Sequence, residues 1–251
     1  MNKKPSMGSD IQVLAIIPAR GGSKGIKDKN ITNLNGSSLI SYSIKAALES
    51  KLVSRVICST DSKTIAKEAI KHGAEVPFLR PIELAQDNST DIDCFRHAIN
   101  WLSDVETYEP KLIIQLRPTS PIRNVDMIDK AIQIMIDEDS YDSLRAISEP
   151  DHTPYKMWKL NSKNEMKPLL ELSDNNEPYN TNRQNLPEVY AQTGSIDITR
   201  PETIKKYNSM TGKKIYPFII DQRYFVDIDN IESLEIASIR MKRLNCIKFN
   251  Q

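Results

Sequence analysis

Histidine and cysteine are scarce in this sequence, with three of each among 251 residues. His72, His97 and His152 stand far apart, as do Cys58, Cys94 and Cys246. There is no HExxH helix and no CxxC pair, so neither a zinc site nor a disulfide framework is indicated. All six read as core or surface residues. Charge of one sign is also missing. The formal net charge of +1 argues against a nucleic-acid binder that relies on a broad basic field. No apolar run approaches the ~20 residues of a membrane-spanning helix. The opening MNKKPSMGSD lacks the apolar segment of a secretory signal, so a cytoplasmic location is expected. Glycine is sparse as well, with eight residues in all, and three of those fall in one short loop.

That loop belongs to the stretch LAIIPARGGSKGIKDKN, residues 14–30. The apolar run 13–17 reads as a strand buried on both faces. Pro18 ends it, having no N–H for the ladder. Gly21, Gly22 and Gly25 allow a tight turn that exposes backbone N–H groups, and Arg20, Lys24, Lys27 and Lys29 surround them. A loop of this make-up at the carboxyl end of a first strand suits a polyphosphate. It is neither a Walker A loop nor GxGxxG, and a plain surface loop rich in Gly and Lys would look similar.

Apolar spacing predicts a helix over 39–48 and a strand over 53–59. A helix over 62–72 follows, with Asp61 as its cap and Gly73 closing it. Residues 75–78 read as a brief strand. The polar segment LRPIELAQDNSTD, 79–91, is long for a linker, and ordered loops of that kind often serve a site. Thr90 or Asp91 opens a helix through Trp101. A strong strand over 111–116 ends in RPTSPIR, which leaves Arg117, Thr119, Ser120 and Arg123 displayed. Asn124 caps a helix reaching Asp137. Strands alternating with helices imply right-handed βαβ units and a mostly parallel sheet, within one domain spanning 1–251. Ligands of such sheets bind outside the carboxyl ends of the strands.

Over 148–187 the pattern gives way to Pro, Asn, Glu and Lys. Tyr155, Trp158 and Tyr179 argue against disorder there, and the stretch reads as an inserted arm or small subdomain. Strands over 189–199 and 215–220, a short helix from Pro201 and a helix over 231–244 complete the chain. Just before that last helix stands FVDIDN. On a strand, residues two apart share a face, so Asp227 and Asp229 project together. Two carboxylates on one face suit a Mg²⁺ ion whose remaining positions go to water and phosphate oxygens. Alternatively, Asp229 or Asn230 simply caps the helix. The basic loop and the aspartate pair together suggest nucleotidyl transfer, driven by positioning and charge neutralisation.

Five blocks, IIPARGGSKGIKDKNI, VICSTDS, LRPIELAQDNSTD, LRPTSPIR and FVDIDNIESLE, resemble in order and spacing those of the CMP-sialic acid synthetase (acylneuraminate cytidylyltransferase) family. The resemblance implies a Rossmann-like nucleotidyltransferase fold, three-layer α/β/α, with a protruding dimerisation arm. It implies transfer of CMP from CTP to the anomeric hydroxyl of a nine-carbon acidic sugar, sialic acid or a related nonulosonic acid, with release of pyrophosphate. By the same resemblance Arg20, Lys24 and Lys29 would be the catalytic contacts to the triphosphate, with Lys29 nearest the α-phosphate. Ala19, Gly22, Ser23, Asn30, Arg80, Ser89, Thr90 and Asp91 would surround the nucleotide. Arg117, Thr119, Ser120, Arg183 and Gln192 would lie on the sugar side, and Asp227 and Asp229 would bind Mg²⁺. There are departures. Arg117 replaces a usual glutamine, and Ala191 and Thr193 stand where sialic acid enzymes carry an arginine and an asparagine. Arg117 is therefore expected to supply the missing charge to the acceptor. A CMP-KDO type of transferase, a metal-dependent glycosyltransferase and a non-catalytic nucleotide-binding protein are the alternatives.

Overall fold

The computed structural model describes residues 11–249, and the opening stretch read above for a leader lies outside them. The chain runs from β1 (Val13–Pro18) through a small ribbon, β2 (Asn33–Leu34) and β3 (Ser37–Ser38), into α1 (Leu39–Glu49). Next come β4 (Arg55–Ser59), α2 (Lys63–Lys71) and α3 (Asp91–Glu106). β5 (Leu112–Gln115), α4 (Val125–Asp137) and β6 (Ser143–Ser148) follow. A hairpin, β7 (Trp158–Leu160) and β8 (Met166–Pro168), lies between β6 and β9 in the chain. The last elements are β9 (Ala191–Thr199), α5 (Pro201–Tyr207), β10 (Ile215–Ile219) and α6 (Ile231–Arg243).

Six strands form one sheet in the order β10-β6-β9-β5-β1-β4. β4, β1 and β5 are parallel to one another, as are β6 and β10. Only β9 is reversed, running antiparallel to both β5 and β6. The central strand explains the layering. Val13, Ala15 and Ile17 face a core shared with Ile44 of α1, Ile65 of α2, Ile132 of α4 and Met241 of α6. Leu14 and Ile16 face the other way, onto Phe95, Ile99 and Leu102 of α3 and Ile204 of α5. A run apolar at every position satisfies both faces, and each of its buried Val, Leu and Ile side chains contributes roughly 1.5–3 kcal/mol. The result is the expected three-layer α/β/α arrangement. The chain moves from β1 to β4 on one side and later to β5 on the other, so the sheet order reverses at the carboxyl end of β1.

Four local expectations are corrected. Residues 75–78 form no strand; only Glu75 bridges to Ile57, because Pro77 has no N–H to extend the ladder. Ser62, not Asp61, caps α2, its hydroxyl accepting from the Ile65 N–H at 3.4 Å. Arg123 is not displayed but fully buried, and Ser120 is buried beside it. The Arg123 guanidinium donates to the Ser43 hydroxyl at 2.8 Å and to the Arg117 carbonyl at 3.0 Å, and burial lowers its pKa to about 9. Finally, residues 226–229 belong to no sheet; their one ladder-like bond runs from the Ile228 N–H to the Thr119 carbonyl, 2.9 Å. The alternation nevertheless holds, with Val226 and Ile228 buried and Asp227 and Asp229 exposed.

Candidate active site

The basic loop leaves β1 at the switch point and is fixed at three places. The Ala19 N–H donates to the Ser59 carbonyl at 3.0 Å. The Gly21 N–H donates to Asp61 Oδ1 at 2.8 Å, which is where the expected cap of α2 has gone. The Asn30 amide reaches back to the Arg20 carbonyl at 2.9 Å. Gly22 sits at φ +67° with open space around it, so glycine is there for conformation. Gly25 is there for contact: a Cβ on it would lie 2.0 Å from the Asp229 carbonyl oxygen. The loop is thus pressed against the late aspartate segment. Lys29 completes the junction, its Nζ 2.9 Å from Asp229 Oδ1. Asn230 caps α6 by accepting from the Ser233 N–H at 2.8 Å, which leaves Asp229 free of that duty.

Gly25, Lys29, Asn30 and Asp229 help line a cleft of about 430 Å³, a size suited to a small ligand. Arg20, Ser23, Lys24, Lys29 and Asn30 reach it from the loop, and Arg80, Ser89, Thr90 and Asp91 from the segment that ends in α3. Arg117, Thr119 and Asp229 close it. Ala19 and Gly22 support the loop without lining the cleft, and Asp227 is adjacent in chain but outside the lining. Ser120 points inward, its hydroxyl 3.4 Å from the Thr193 carbonyl. Arg183 lies elsewhere, on a second cavity lined by residues of 149–153 and 183–189, donating to the Pro150 carbonyl at 2.8 Å. Gln192 sits on β9 opposite Ile147 and lines neither cavity.

Arg117 does not offer a free charge. Its guanidinium is held between Asp91 Oδ2 at 2.5 Å and Asp197 Oδ2 at 2.7 Å. Asp197 is buried on β9 and is shared with Arg145 at 3.0 Å. Burial alone would raise the Asp91 carboxyl, but Arg117, Gln115 and Arg145 together outweigh it and hold Asp91 below the usual carboxylate range. Arg117 is therefore matched by two carboxylates, contrary to the expectation that it waits for one on a sugar. Thr193 is likewise turned inward, bonding the Ala146 carbonyl at 3.0 Å. Arg80 is buried beneath the cleft, its Nε 3.1 Å from the Ser59 hydroxyl.

The sequence pattern missed several participants. Asp87 pairs with Arg20 at 2.8 Å and with Lys24 at 2.5 Å. Asp61, Arg145 and Asp197 are the others. The polar length of 79–91 signalled the first, but nothing local signals which cations it meets. Asp197 is a charged residue at an inward position of β9, and that misfit with an apolar pattern was the available signal.

A mostly parallel α/β sheet with a basic glycine loop at its switch point, facing an acidic segment, is a layout suited to nucleotidyl transfer. The chain belongs to the cytidylyltransferase family, whose model matches residues 14–245. It is 31% identical to pseudaminic acid cytidylyltransferase of Campylobacter jejuni, over 91% of this chain and 96% of that protein. It is also 31% identical to CMP-N,N'-diacetyllegionaminic acid synthase of the same species, over 93% and 97%. Among solved structures, CMP:2-keto-3-deoxy-manno-octonic acid synthetase complexed with CTP superimposes with a TM-score of 0.67 at 16% identity, covering 92% of this chain and 99% of that one. The fold class and the family read from the five sequence blocks agree with these findings.

Proposed function

We propose that this enzyme transfers CMP from CTP to the anomeric hydroxyl of a nonulosonic acid and releases pyrophosphate. One observation carries the reading: Lys29 and Gly25 of the basic loop meet Asp229 from the far end of the chain, in a single cleft. Relatives matched along almost their whole length bear names of nonulosonic acid enzymes, which favours that acceptor class over the eight-carbon acid of the structural neighbour. In this reading Arg20 and Lys24 bind the outer phosphates, and Lys29 stabilises charge developing at the α-phosphate. The rigid walls hold the acceptor hydroxyl in line with the leaving pyrophosphate. The acceptor carboxylate would need a partner other than Arg117.

Asp229 and Asp227 would hold Mg²⁺. Among the described residues no three acidic, histidine or cysteine side chains gather into a cage. Asp229 lines the cleft and Asp227 stands two residues away outside the lining, so an ion there would take most of its ligands from water and phosphate oxygens, the sparse hard-oxygen set that Mg²⁺ accepts. When bound it would neutralise phosphate charge.

The arm, 148–187, would serve a homodimer. Met157, Trp158, Leu160, Met166, Leu169 and Leu170 are all exposed there, and apolar side chains gathered on one projection favour a partner. Three unpaired cysteines suit a reducing cytoplasm, and no helix among the described residues is long and apolar enough to cross a membrane.

The test is pyrophosphate release from CTP and Mg²⁺ with a panel of pseudaminic, legionaminic and N-acetylneuraminic acids, repeated with ATP, GTP and UTP. Release with CTP and one or more of these acids is expected. Silence across the panel, or equal rates with all four nucleotides, would refute the reading.

A further inference from the structure

We propose that Asp87 is a specificity-determining residue: an internal anion that sits on the polyphosphate cations and must be displaced by a ligand carrying at least two linked phosphates. The proposal rests on the nucleotide reading above and extends it to how the site tells polyphosphates from monophosphates.

The geometry is that of a carboxylate standing in for phosphate oxygens. Asp87 Oδ1 lies 2.8 Å from Arg20 Nη2, and Oδ2 lies 2.5 Å from Lys24 Nζ. Both cations line the cleft, whereas Asp87 approaches them from its rim. The segment that carries it is shaped for the purpose. A 3-10 turn at Ile82–Leu84 leads into a tight turn in which the Ser89 N–H donates to the Gln86 carbonyl at 3.1 Å. The Gln86 N–H returns a bond to the Ser89 hydroxyl at 2.9 Å. Asp87 stands at the apex of this closed turn. The Ala85 carbonyl adds a third, longer contact to Arg20 at 3.4 Å. Lys24 and Arg20 also hold the Asp87 carboxyl below the usual carboxylate range, as expected of an ion bound by both.

The consequences follow from which phosphates reach which cations. Lys29 is paired separately, with Asp229. A ligand ending at its first phosphate can engage Lys29 without disturbing Asp87. A triphosphate or free pyrophosphate must remove Asp87 from Arg20 and Lys24 to bind fully. Asp87 therefore weakens binding of CTP and pyrophosphate but not of CMP, and it speeds departure of the pyrophosphate product. Residues 89–91, on the cleft wall, follow directly in the chain, so the same displacement reaches the base side of the site.

The pairs are exposed, with Asp87 half accessible. Exposed ion pairs are individually weak, and two sharing one carboxylate correspond to roughly a three- to tenfold effect on affinity. It should shrink as salt rises.

The experiment is calorimetric titration of the full chain, wild type, Asp87→Asn and Asp87→Glu, with CTP, sodium pyrophosphate and CMP at one Mg²⁺ concentration. Asp87→Asn should bind CTP and pyrophosphate roughly three- to tenfold more tightly and CMP as wild type does. Asp87→Glu should restore wild-type values. Unchanged or weaker binding of CTP and pyrophosphate in Asp87→Asn would overturn the proposal, because a merely structural turn residue gives that result. Equal tightening of CMP would also overturn it, since that marks a general field and not a phosphate-specific competitor. If the wild type takes up neither CTP nor pyrophosphate, the nucleotide reading falls first and this proposal with it.

Discussion

Gly25→Ala tests the junction on which the site is built. An added Cβ would stand 2.0 Å from the Asp229 carbonyl oxygen and 3.2 Å from its carbon. Favourable contact begins at about 3.5 Å, so the loop and the aspartate segment would have to part by more than about 1 Å. Neither side yields easily. The loop is held by Asp61 and Asn30, and the aspartate segment by the Ile228–Thr119 bond and the cap of α6. Overpacking of this kind costs about 1–3 kcal/mol, and for a chain of this size Tm should fall by roughly 3 to 10 °C. Activity should suffer more, because a misplacement near 1 Å costs about a hundredfold in kcat. The assay is pyrophosphate release beside thermal melting. Gly22→Ala is the control. Its φ of +67° makes alanine strained, yet no atom lies within 4 Å. It should lose about 1 kcal/mol of stability while keeping the Lys29–Asp229 contact and most of kcat. A Gly25→Ala enzyme with wild-type kcat and Tm would refute the reasoning, as would equal loss of kcat in both variants.

Lys29→Ala should lower kcat by about 10² to 10³ and CTP affinity far less, if its charge acts mainly on the transferring phosphoryl group; steady-state kinetics in which only KM changes would contradict this. Asp229→Asn should raise the Mg²⁺ concentration needed for half-maximal rate, and an unchanged metal titration would remove it as a ligand. Asp61→Asn should raise the KM for CTP by loosening the Gly21 N–H, a charge-assisted bond worth about 1.5–3 kcal/mol; unaltered KM and Tm would show the tether is idle. Arg117→Gln should destabilise the fold by about 3 kcal/mol at neutral pH, since it leaves Asp91 and Asp197 short of a partner. Because the folded Asp91 pKa is depressed, its share of that contribution is fully present above the unfolded carboxylate value and is lost as pH falls below about 4. The Tm gap between wild type and Arg117→Gln should thus be flat from about pH 5 to 8 and narrow in acid. A gap that widens in acid would contradict the sign.

The sequence was most legible where periodicity reports burial. The unbroken apolar run of β1 announced a strand covered on both sides, and the helical spacing of Leu39, Ile40 and Ile44 announced α1. Asn124 capped α4 as its position foretold, accepting from the Met127 N–H at 2.9 Å. Legibility failed where a side chain chose between a local and a distant partner. Asp61 could cap a helix or bind Gly21 with almost the same backbone, and only the folded loop decides between them. Arg123 looked displayed because prolines flank its turn, yet packing against Ser43 of α1 drew it inside. Asp227 and Asp229 shared a face as the two-residue period requires, but without a neighbouring strand they diverge in how they meet the cleft. Asp87 has no periodic signature at all, because its meaning comes from cations more than sixty residues earlier in the chain.

The reversed strand has a consequence for how such enzymes diversify. Ser148 and Ala191 face each other on adjacent antiparallel strands, a spacing that a short hairpin could bridge. Everything between them departs and returns through one rung of the ladder. A segment attached by such a gateway can lengthen, shrink or be exchanged for another without shifting any strand beside it. Cassette swaps at 149–190 between relatives should therefore leave the six-stranded sheet intact while changing whatever that segment touches.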